Sequence, residues 1–224
     1  YLEPFGTETI TRNITLIGIG MGAPGMWTVA ARKALLEADA VAGASRMMES
    51  VEKDLGEKAV LKTYDGKKIL DWFENAPQLR KLAVLYSGDT GFYSGASGLA
   101  ETLRERQKAG KDQEIQLEIL PGISTVSYFA SRLQIPWQDL ELESLHGREA
   151  KPWEVLERGK NVFLLLGGVE PVAEVSRMIS EHGFGSWLVS AGKNLSYDDE
   201  EILTDTAENM MNKRLGAGLW AVII

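Results

Sequence analysis

The amino-acid sequence predicts an α/β fold built from two small domains, with sheets that are mainly parallel or mixed. Short apolar runs of strand length alternate with helical patterns along the 224 residues, and this alternation is typical of parallel strands joined by helical crossovers. About ten strands are expected, which is many for a single sheet in a chain of this length. We therefore predict an N-terminal tail at 1–12, a first α/β domain at 13–122 and a second at 123–224.

The first half has the more regular alternation. Residues 14–20 (ITLIGIG) form an apolar run that ends in glycines, which predicts a buried strand. The helix predicted next, at 26–38, has four apolar residues on its expected inner face: Val29, Ala30, Leu35 and Leu36. By the same criteria, further strands are predicted at 39–43, 59–62, 82–86 and 115–120, and further helices at 46–55, 68–75 and 94–109.

The second half repeats this pattern with less regular spacing. Residues 161–166 (NVFLLL) form the clearest buried strand of the chain, and a helix predicted at 171–182 is stopped by Gly183. The remaining predicted strands are 141–145, 187–191, 201–205 and 219–224, and the remaining predicted helices are 124–133 and 207–214.

Composition argues against several classes of partner and site. The chain has 32 acidic and 24 basic residues and a net charge of −8, which argues against nucleic acid as its main partner. It contains no cysteine, which excludes disulfides, thiolate nucleophiles and cysteine-based zinc sites. Its two histidines, His146 and His182, are far apart in sequence, so no metal site is expected.

Hydropathy predicts neither a membrane span nor a secretion signal. No apolar run approaches the roughly 20 residues needed to cross a bilayer. The N-terminal segment lacks the basic start and apolar centre of a signal peptide. Together with the absence of cysteine, these features predict a cytoplasmic protein that does not have a membrane as its partner.

The first predicted strand runs into a glycine-rich loop at 18–25 (GIGMGAPG). Its residues Gly20, Gly22 and Gly25 match the GxGxxG pattern of dinucleotide-binding folds. However, Pro24 removes an amide where that pattern needs donors for a pyrophosphate, and the second strand ends without an acid to bind a ribose. A nicotinamide site is therefore disfavoured, and a tight turn without a ligand is the alternative.

Two further turns follow predicted strands. The turn at 87–93 (SGDTGFY) places glycines around Asp89 and Thr90, and it lacks the lysine of a triphosphate-binding loop. The turn at 121–125 (PGIST) places two hydroxyls before a helix, and helix capping is the alternative explanation for both turns. Because ligands bind at the carboxyl ends of parallel strands, we expect the three turns to outline one ligand pocket.

In this order and spacing, the three turns resemble those of the tetrapyrrole methyltransferases, a family that uses S-adenosylmethionine. The resemblance extends over nearly all of the chain from position 13 onward. Within the family, the segments 43–46 (GASR), 87–94 (SGDTGFYS) and 144–148 (SLHGR) resemble the precorrin-7 (cobalt-precorrin-7) C5-methyltransferases of cobalamin biosynthesis. The resemblance implies the class III methyltransferase fold, with the ligand cleft between the two domains.

The resemblance also implies a function. By this resemblance, the chain is expected to be an S-adenosylmethionine-dependent C-methyltransferase that acts on C5 of a precorrin-7-type tetrapyrrole. Some relatives carry a second module that decarboxylates and methylates C15; this sequence has no such module, so we expect that activity on a separate polypeptide. A homodimer is expected as well, chiefly from the family.

Candidate site residues follow from the family resemblance and from positions just after predicted strands. The resemblance implies an S-adenosylmethionine site lined by Pro24, Gly88, Asp89, Thr90, Ser124, Thr125, Leu166, Gly167 and Asn194. Arg46, Arg148 and Lys193 follow predicted strand ends, where they are candidates for binding substrate carboxylates. For each of them, a solvated surface charge is the alternative. His146 and Arg148 are also the candidates for an acid–base or orienting role, while a structural role is the alternative for a lone histidine.

Two other functions remain open on the sequence alone. The chain could belong to another branch of the same family and methylate a different ring position or a non-tetrapyrrole. It could also be a non-catalytic module that binds a small molecule in the same cleft. Methyl transfer to a precorrin would separate the enzymes from the binding module.

Overall fold

The computed structural model describes residues 11–145, 150–167 and 171–224. The chain divides into two compact units, the first ending at Ile123 and the second beginning at Ser124. Within the described residues, each unit is built on one five-stranded sheet. The predicted α/β fold is therefore confirmed.

The first unit contains a fully parallel sheet. Its strands are β1 (Arg12–Gly18), β2 (Ala40–Gly43), β3 (Ala59–Lys62), β4 (Lys81–Tyr86) and β5 (Ile115–Leu120). They lie in the order β3-β2-β4-β1-β5, and each neighbouring pair is parallel. The crossover helices are α1 (Val29–Glu37), α2 (Ser45–Ser50), α3 (Glu52–Leu55), α4 (Gly66–Glu74) and α5 (Ala96–Lys108), and a 3₁₀ turn at Pro24–Met26 precedes α1.

Helices cover both faces of this sheet. Ile14 and Leu16 of β1 belong to a buried cluster with residues of α4 and α5. Ile17 belongs to a second cluster, with residues of α1 and α2. Since neighbouring residues of a strand point to opposite faces, β1 is buried on both sides, which explains its continuous apolar run.

The second unit contains a mixed sheet. Its strands are β6 (Glu141–Ser144), β7 (Val162–Leu165), β8 (Leu188–Lys193), β9 (Glu201–Thr206) and β10 (Trp220–Ile223), in the order β6-β7-β10-β8-β9. Only the β6–β7 pair is parallel among these described strands. The helices are α6 (Thr125–Leu133), α7 (Pro152–Glu157), α8 (Pro171–Ile179) and α9 (Ala207–Met210), with a π-helical turn at Ser180–Phe184 after α8.

Helix α1 differs from the helix predicted at 26–38. Three of the four residues predicted on its inner face are exposed: Val29, Ala30 and Leu36. The buried positions are Ala31 and Leu35, one turn apart. Thr28 caps the helix by accepting a hydrogen bond from the Ala31 amide at 3.0 Å. At about 100° per residue, Val29 and Leu36 lie on the side of the helix opposite Ala31, so the four predicted residues do not form one face.

Two other helix predictions were wrong in detail, and one helix was not predicted. The helix predicted at 46–55 is split into α2 and α3 at Val51, whose ψ of 7° departs from helical geometry. Helix α7 begins with a proline and was not predicted, although proline favours the first turn of a helix. The helix predicted at 171–182 ends at Ile179, before Gly183 adopts a φ of +91°.

Arg12, at a position predicted to lie in the N-terminal tail, is the first residue of β1 and is buried. Its guanidinium donates hydrogen bonds to the carbonyls of Phe73, Ala76 and Leu79. It also lies 3.8 Å from the centroid of the Phe73 ring. Desolvation lowers the pKa of Arg12. A single buried cation therefore joins the last turn of α4, at Phe73, to the segment that follows it, at Ala76 and Leu79.

Two kinds of feature are missing from the part of the chain that the structure describes. No helix there combines the length and the apolar character that crossing a bilayer requires. No group of three or more His, Cys, Asp or Glu side chains there is placed to hold a metal ion.

Candidate functional site

Three loops leave the parallel sheet of the first unit at its carboxyl edge. Strand β1 lies between β4 and β5, so that Ile17 is opposite Leu85 on one side and Leu120 on the other. Because all three strands run in the same direction, the loops that follow them begin side by side. This edge is where open α/β sheets bind their ligands.

Gly20 and Gly88 join the first two of these loops directly. The Gly20 amide donates to the Gly88 carbonyl at 3.1 Å, and the Gly88 amide donates to the Gly20 carbonyl at 2.5 Å. The pair is an isolated antiparallel bridge at the end of a parallel sheet. Both residues have positive φ, +66° and +70°, a conformation that glycine adopts without steric cost.

Gly122 brings the third loop against the other two. A Cβ atom at Gly122 would lie 2.1 Å from the Gly88 carbonyl oxygen and 2.7 Å from the carbonyl carbon of Gly18. A Cβ at Gly18 would lie 2.6 Å from the Gly122 nitrogen. The predicted convergence of the three loops is therefore confirmed within the first unit. We refer to Gly18, Gly20, Gly88 and Gly122 as the glycine cluster.

Asp89 and Thr90 fix the second loop to its neighbours. Asp89 Oδ1 accepts a hydrogen bond from the Gly91 amide at 2.8 Å, and Asp89 Oδ2 accepts one from the Gly122 amide at 3.0 Å. Thr90 is buried, and its hydroxyl donates to the Leu120 carbonyl at 3.3 Å. Both side chains therefore hold backbone segments in place.

The alternative explanation, that Asp89 or Thr90 caps the helix that follows, was wrong. Helix α5 begins at Ala96, with Gly95 as its N-cap. Between the loop and this helix, Tyr93 has a left-handed backbone with a φ of +48°. Non-glycine residues in this region are strained and are concentrated at ligand-binding loops.

Arg46 and Pro24 are the other candidates in the first unit. Arg46, on α2, donates a hydrogen bond from its guanidinium to Ser87 Oγ at 3.3 Å. Its cation therefore lies beside the loop at 87–93, at the same edge as the glycine cluster. Pro24 is exposed in the 3₁₀ turn that follows Gly20 and Gly22.

Tyr86 adds a buried polar group to the end of β4. Its hydroxyl is enclosed and has no hydrogen-bond partner within the described residues. Burial raises the pKa of Tyr86 to about 12. The side chain is therefore a neutral hydroxyl, directly before the loop that carries Asp89, throughout the physiological pH range.

In the second unit, the candidates Ser124 and Thr125 begin α6. Ser124 is the N-cap, and its Oγ accepts a hydrogen bond from the Ser127 amide at 3.3 Å. The capping alternative thus holds for Ser124, while Thr125 is the first helical residue. Leu166 is buried directly after β7, and Gly167 follows it.

The candidates Lys193 and Asn194 lie at the end of β8. Lys193 Nζ is 3.6 Å from a carboxylate oxygen of Glu201, so an acid of the same unit offsets its charge. Asn194 has a left-handed backbone with a φ of +44°. Its side-chain oxygen accepts from the Leu219 amide at 2.9 Å, and its side-chain nitrogen donates to Asp199 at 2.7 Å.

Glu200, which the sequence alone does not single out, is the centre of a hydrogen-bond cluster in the second unit. Its carboxylate accepts hydrogen bonds from the Tyr128 hydroxyl at 2.7 Å, from Arg132 Nε at 2.8 Å and from the Ser196 amide at 2.7 Å. Burial acts to raise the pKa of Glu200, but these three donors outweigh it, and the pKa lies below its ordinary value. Burial and the bond to Glu200 raise the pKa of Tyr128. In sequence, Glu200 is one acid in an acidic stretch, and nothing marks it out from its neighbours.

His146 and Arg148, the candidates for an acid–base or orienting role, lie outside the described residues. Arg46 and Lys193 are therefore the substrate-binding candidates whose surroundings the structure describes.

Comparison with known proteins gives a consistent picture. Residues 13–210 match the sequence profile of the Tetrapyrrole (Corrin/Porphyrin) Methylases. The chain is 30% identical over 205 residues to the probable cobalt-precorrin-7 C(5)-methyltransferase of Methanocaldococcus jannaschii, covering 89% of this chain and 92% of that protein. It is also 30% identical over 189 residues to the cobalt-precorrin-7 C(5)-methyltransferase of Salmonella typhimurium, covering 84% and 88%. The fold resembles the crystal structure of a cobalt-precorrin-4 methyltransferase, with a TM-score of 0.74 and 21% identity over 100% of this chain and 97% of that one.

Proposed function

Because the chain belongs to the tetrapyrrole (corrin/porphyrin) methylase family and is a methyltransferase, we propose that it transfers a methyl group from S-adenosylmethionine to C5 of a precorrin-7-type tetrapyrrole. The choice of C5 is supported by two relatives named for that reaction, each 30% identical over most of the chain. The observation that carries the proposed methyl-donor site is the glycine cluster, which gathers three loops at the ligand-binding edge of a parallel sheet.

The residues at this edge fit S-adenosylmethionine. Its amino-acid group and ribose require hydrogen-bonding partners, whereas a triphosphate would require a lysine that the loop at 87–93 lacks. A Cβ at Gly88 would meet only the Ile123 carbonyl oxygen, at 4.0 Å, so there is open space beside Gly88. The proposed contacts are Pro24, Gly88, Asp89 and Thr90 of the first unit and Ser124, Thr125, Leu166, Gly167 and Asn194 of the second.

The proposed role of the chain is to hold two reactants in a productive geometry. When bound, S-adenosylmethionine supplies an electrophilic methyl group on a sulfonium, suited to in-line transfer to an electron-rich ring carbon. Such a transfer requires no covalent enzyme intermediate, and orientation supplies much of the rate. The Arg46 guanidinium can bind a substrate carboxylate through two parallel hydrogen bonds. Lys193 is the second proposed residue for this role, and a carboxylate oxygen of Glu201 lies 3.6 Å from its Nζ.

We further propose that the protein is a cytoplasmic homodimer and that C15 methylation and decarboxylation take place on a separate polypeptide. These points rest on the family resemblance. Light scattering at micromolar concentration tests the first of them, and the monomer mass of 24.6 kDa would contradict a dimer. C15 methylation by the purified chain alone would contradict the second.

Mass spectrometry tests the reaction itself. The purified protein is incubated with S-adenosylmethionine and each available precorrin intermediate, in metal-free and cobalt forms. We expect one added methyl on precorrin-7 or its cobalt form and none on earlier intermediates. Methylation of an earlier intermediate would assign the chain to another branch of the family. Binding of S-adenosylmethionine without any transfer would instead indicate a non-catalytic binding module.

A further inference from the structure

One carboxylate in the second unit holds two separate segments together. Tyr128 and Arg132, which donate hydrogen bonds to Glu200, are one turn apart on α6. Ser196, the third donor, lies in the turn between β8 and β9 and donates through its backbone amide. The Glu200 side chain is only 14% exposed, and charge-assisted hydrogen bonds in such partly buried sites are stronger than neutral ones.

The turn that Glu200 holds has a strained backbone. Asn194 and Ser196 both have positive φ, +44° and +74°, a conformation that is unfavourable for residues with a Cβ. Asn194 is held in this conformation by its side-chain bonds to Leu219 and Asp199. Ser196 is held by the bond from its amide to Glu200. The surrounding contacts therefore maintain a conformation that the turn alone would not favour.

Ser196 also has a free hydrogen-bonding group. Its side-chain oxygen is buried and has no partner within the described residues. A buried hydroxyl without a partner is costly, and a bound ligand or water that supplies the missing partner would remove this cost. The strained turn thus contains both Asn194, a proposed cofactor contact, and an unused polar group two residues later.

We propose that Glu200 is a positioning residue that locks the turn at 194–199 against α6, so that the turn and the start of α6 are preorganised for S-adenosylmethionine. The inference rests on the proposed function, because Ser124 and Thr125 at the start of α6 and Asn194 in the turn are its proposed cofactor contacts. Glu200 itself does not have to touch the cofactor. Holding both segments before binding would avoid the entropic cost of ordering them afterwards.

Three variants of the full chain separate this role from general stabilisation. Glu200→Ala removes all three hydrogen bonds, and Glu200→Gln keeps one acceptor oxygen but loses the negative charge. Tyr128→Phe removes a single donor and leaves the other two. Glu174→Ala is the matched control, since Glu174 is an exposed acid on α8 of the same unit.

Two measurements are made on each variant at a temperature at which circular dichroism shows it folded. The first is amide hydrogen exchange at Ser196 without any ligand, and the second is the Kd for S-adenosylhomocysteine by calorimetry. We expect exchange to be faster and the Kd to rise by about tenfold in Glu200→Ala, because the turn and the start of α6 must then be ordered on binding. Glu200→Gln and Tyr128→Phe should fall between Glu200→Ala and the wild type, and Glu174→Ala should match the wild type.

Either of two results would overturn the positioning role. The first is an amide exchange rate at Ser196 that is the same in Glu200→Gln and Tyr128→Phe as in the wild type. This result can be obtained even if Glu200→Ala fails to fold. The second is an unchanged Kd in variants whose turn exchanges faster. If the wild type does not bind S-adenosylhomocysteine, the proposed function fails, while the exchange measurement still decides whether Glu200 holds the turn.

Discussion

The Asp89 carboxylate accepts a hydrogen bond from the Gly122 amide at 3.0 Å and thereby ties the loop after β4 to the loop after β5. Its other oxygen is occupied by the amide of Gly91. An acid beside a proposed sulfonium site suggests charge pairing with the ligand, but here both oxygens bind the protein backbone. The structure therefore favours a role for Asp89 in shaping the loop.

Asp89→Asn should weaken the binding of S-adenosylmethionine and S-adenosylhomocysteine to the same extent. The amide keeps one acceptor oxygen, so one of the two backbone bonds is lost and the loop loosens for both ligands. Calorimetry with both ligands measures this. A variant that loses affinity for the positively charged sulfonium compound alone would show instead that Asp89 acts through its charge.

Gly122→Ala should abolish binding of both ligands and lower the melting temperature. The added Cβ would fall 2.1 Å from the Gly88 carbonyl oxygen, a distance that backbone atoms can relieve only by moving the loops apart. Gly25→Ala is the control, because a Cβ at Gly25 meets no atom within 4 Å. Wild-type affinity in Gly122→Ala would contradict the close packing of the glycine cluster.

Gly88→Val should also lose cofactor binding, but through backbone conformation. A Cβ at Gly88 has open space around it, whereas its φ of +70° is unfavourable for a β-branched residue. The strain is about 1–3 kcal/mol, and relieving it would break the bridge to Gly20. Far-ultraviolet circular dichroism should show a retained fold, since the loop lies outside the two apolar clusters. Unchanged affinity for S-adenosylmethionine would show that this loop is not part of the binding site.

Arg12→Met should destabilise the first unit by about 3 kcal/mol, because it leaves three buried or partly buried carbonyls, in the last turn of α4 and just after it, without their charged donor. Chemical denaturation measures this loss. Arg104→Met is the control, since Arg104 is exposed on α5. Equal stability of the two variants would contradict the role assigned to Arg12.

Truncation of the N-terminus is a second test of the role of Arg12. Deletion of 1–11 leaves Arg12 in place and should preserve folding, as expected for a segment without periodic apolar residues. Deletion of 1–12 removes the guanidinium and should lower the melting temperature sharply. Loss of folding in the shorter deletion would show that residues before Arg12 are required.

The contribution of Glu200 to stability should depend on pH. Its pKa is lower in the folded protein than the ordinary value of 4.5, so folding favours the ionised form. The stabilisation is therefore complete above about pH 5 and is lost as the pH falls through the lowered pKa. The difference in melting temperature between wild type and Glu200→Gln should be constant from neutrality down to this range and shrink below it. A difference that grows on acidification would contradict the prediction.

The sequence predicted those elements that are marked by a short stretch of neighbouring residues. β3 and β5 have the predicted bounds, and the end of β5 is marked in the sequence by Pro121 and Gly122. The convergence of the glycine loops was also predictable, since the parallel order of α/β strands brings their carboxyl ends to one edge. In contrast, the exposed position of Val29 was predicted wrongly, because an apolar residue in the first turn of a helix does not by itself show which face is buried.

The role of Glu200 could not be predicted for a different reason. Its side-chain donors Tyr128 and Arg132 are 72 and 68 positions away in the chain. Only the folded second unit brings α6 beside the turn before β9. Asp89 illustrates the same limit, because its partner Gly122 belongs to another loop. In both cases the chemistry of the acid was visible in the sequence, but the group that it binds was not.

The open space at Gly25 makes the first loop accessible to spectroscopy. The chain contains no cysteine, so Gly25→Cys would introduce a single thiol, at a position where a Cβ meets no atom within 4 Å. A fluorophore attached there would be on the same loop as Gly20, within the group of loops that meet at the glycine cluster. Ligand arrival could then be followed in real time, without a radioactive methyl donor and without a supply of unstable tetrapyrrole.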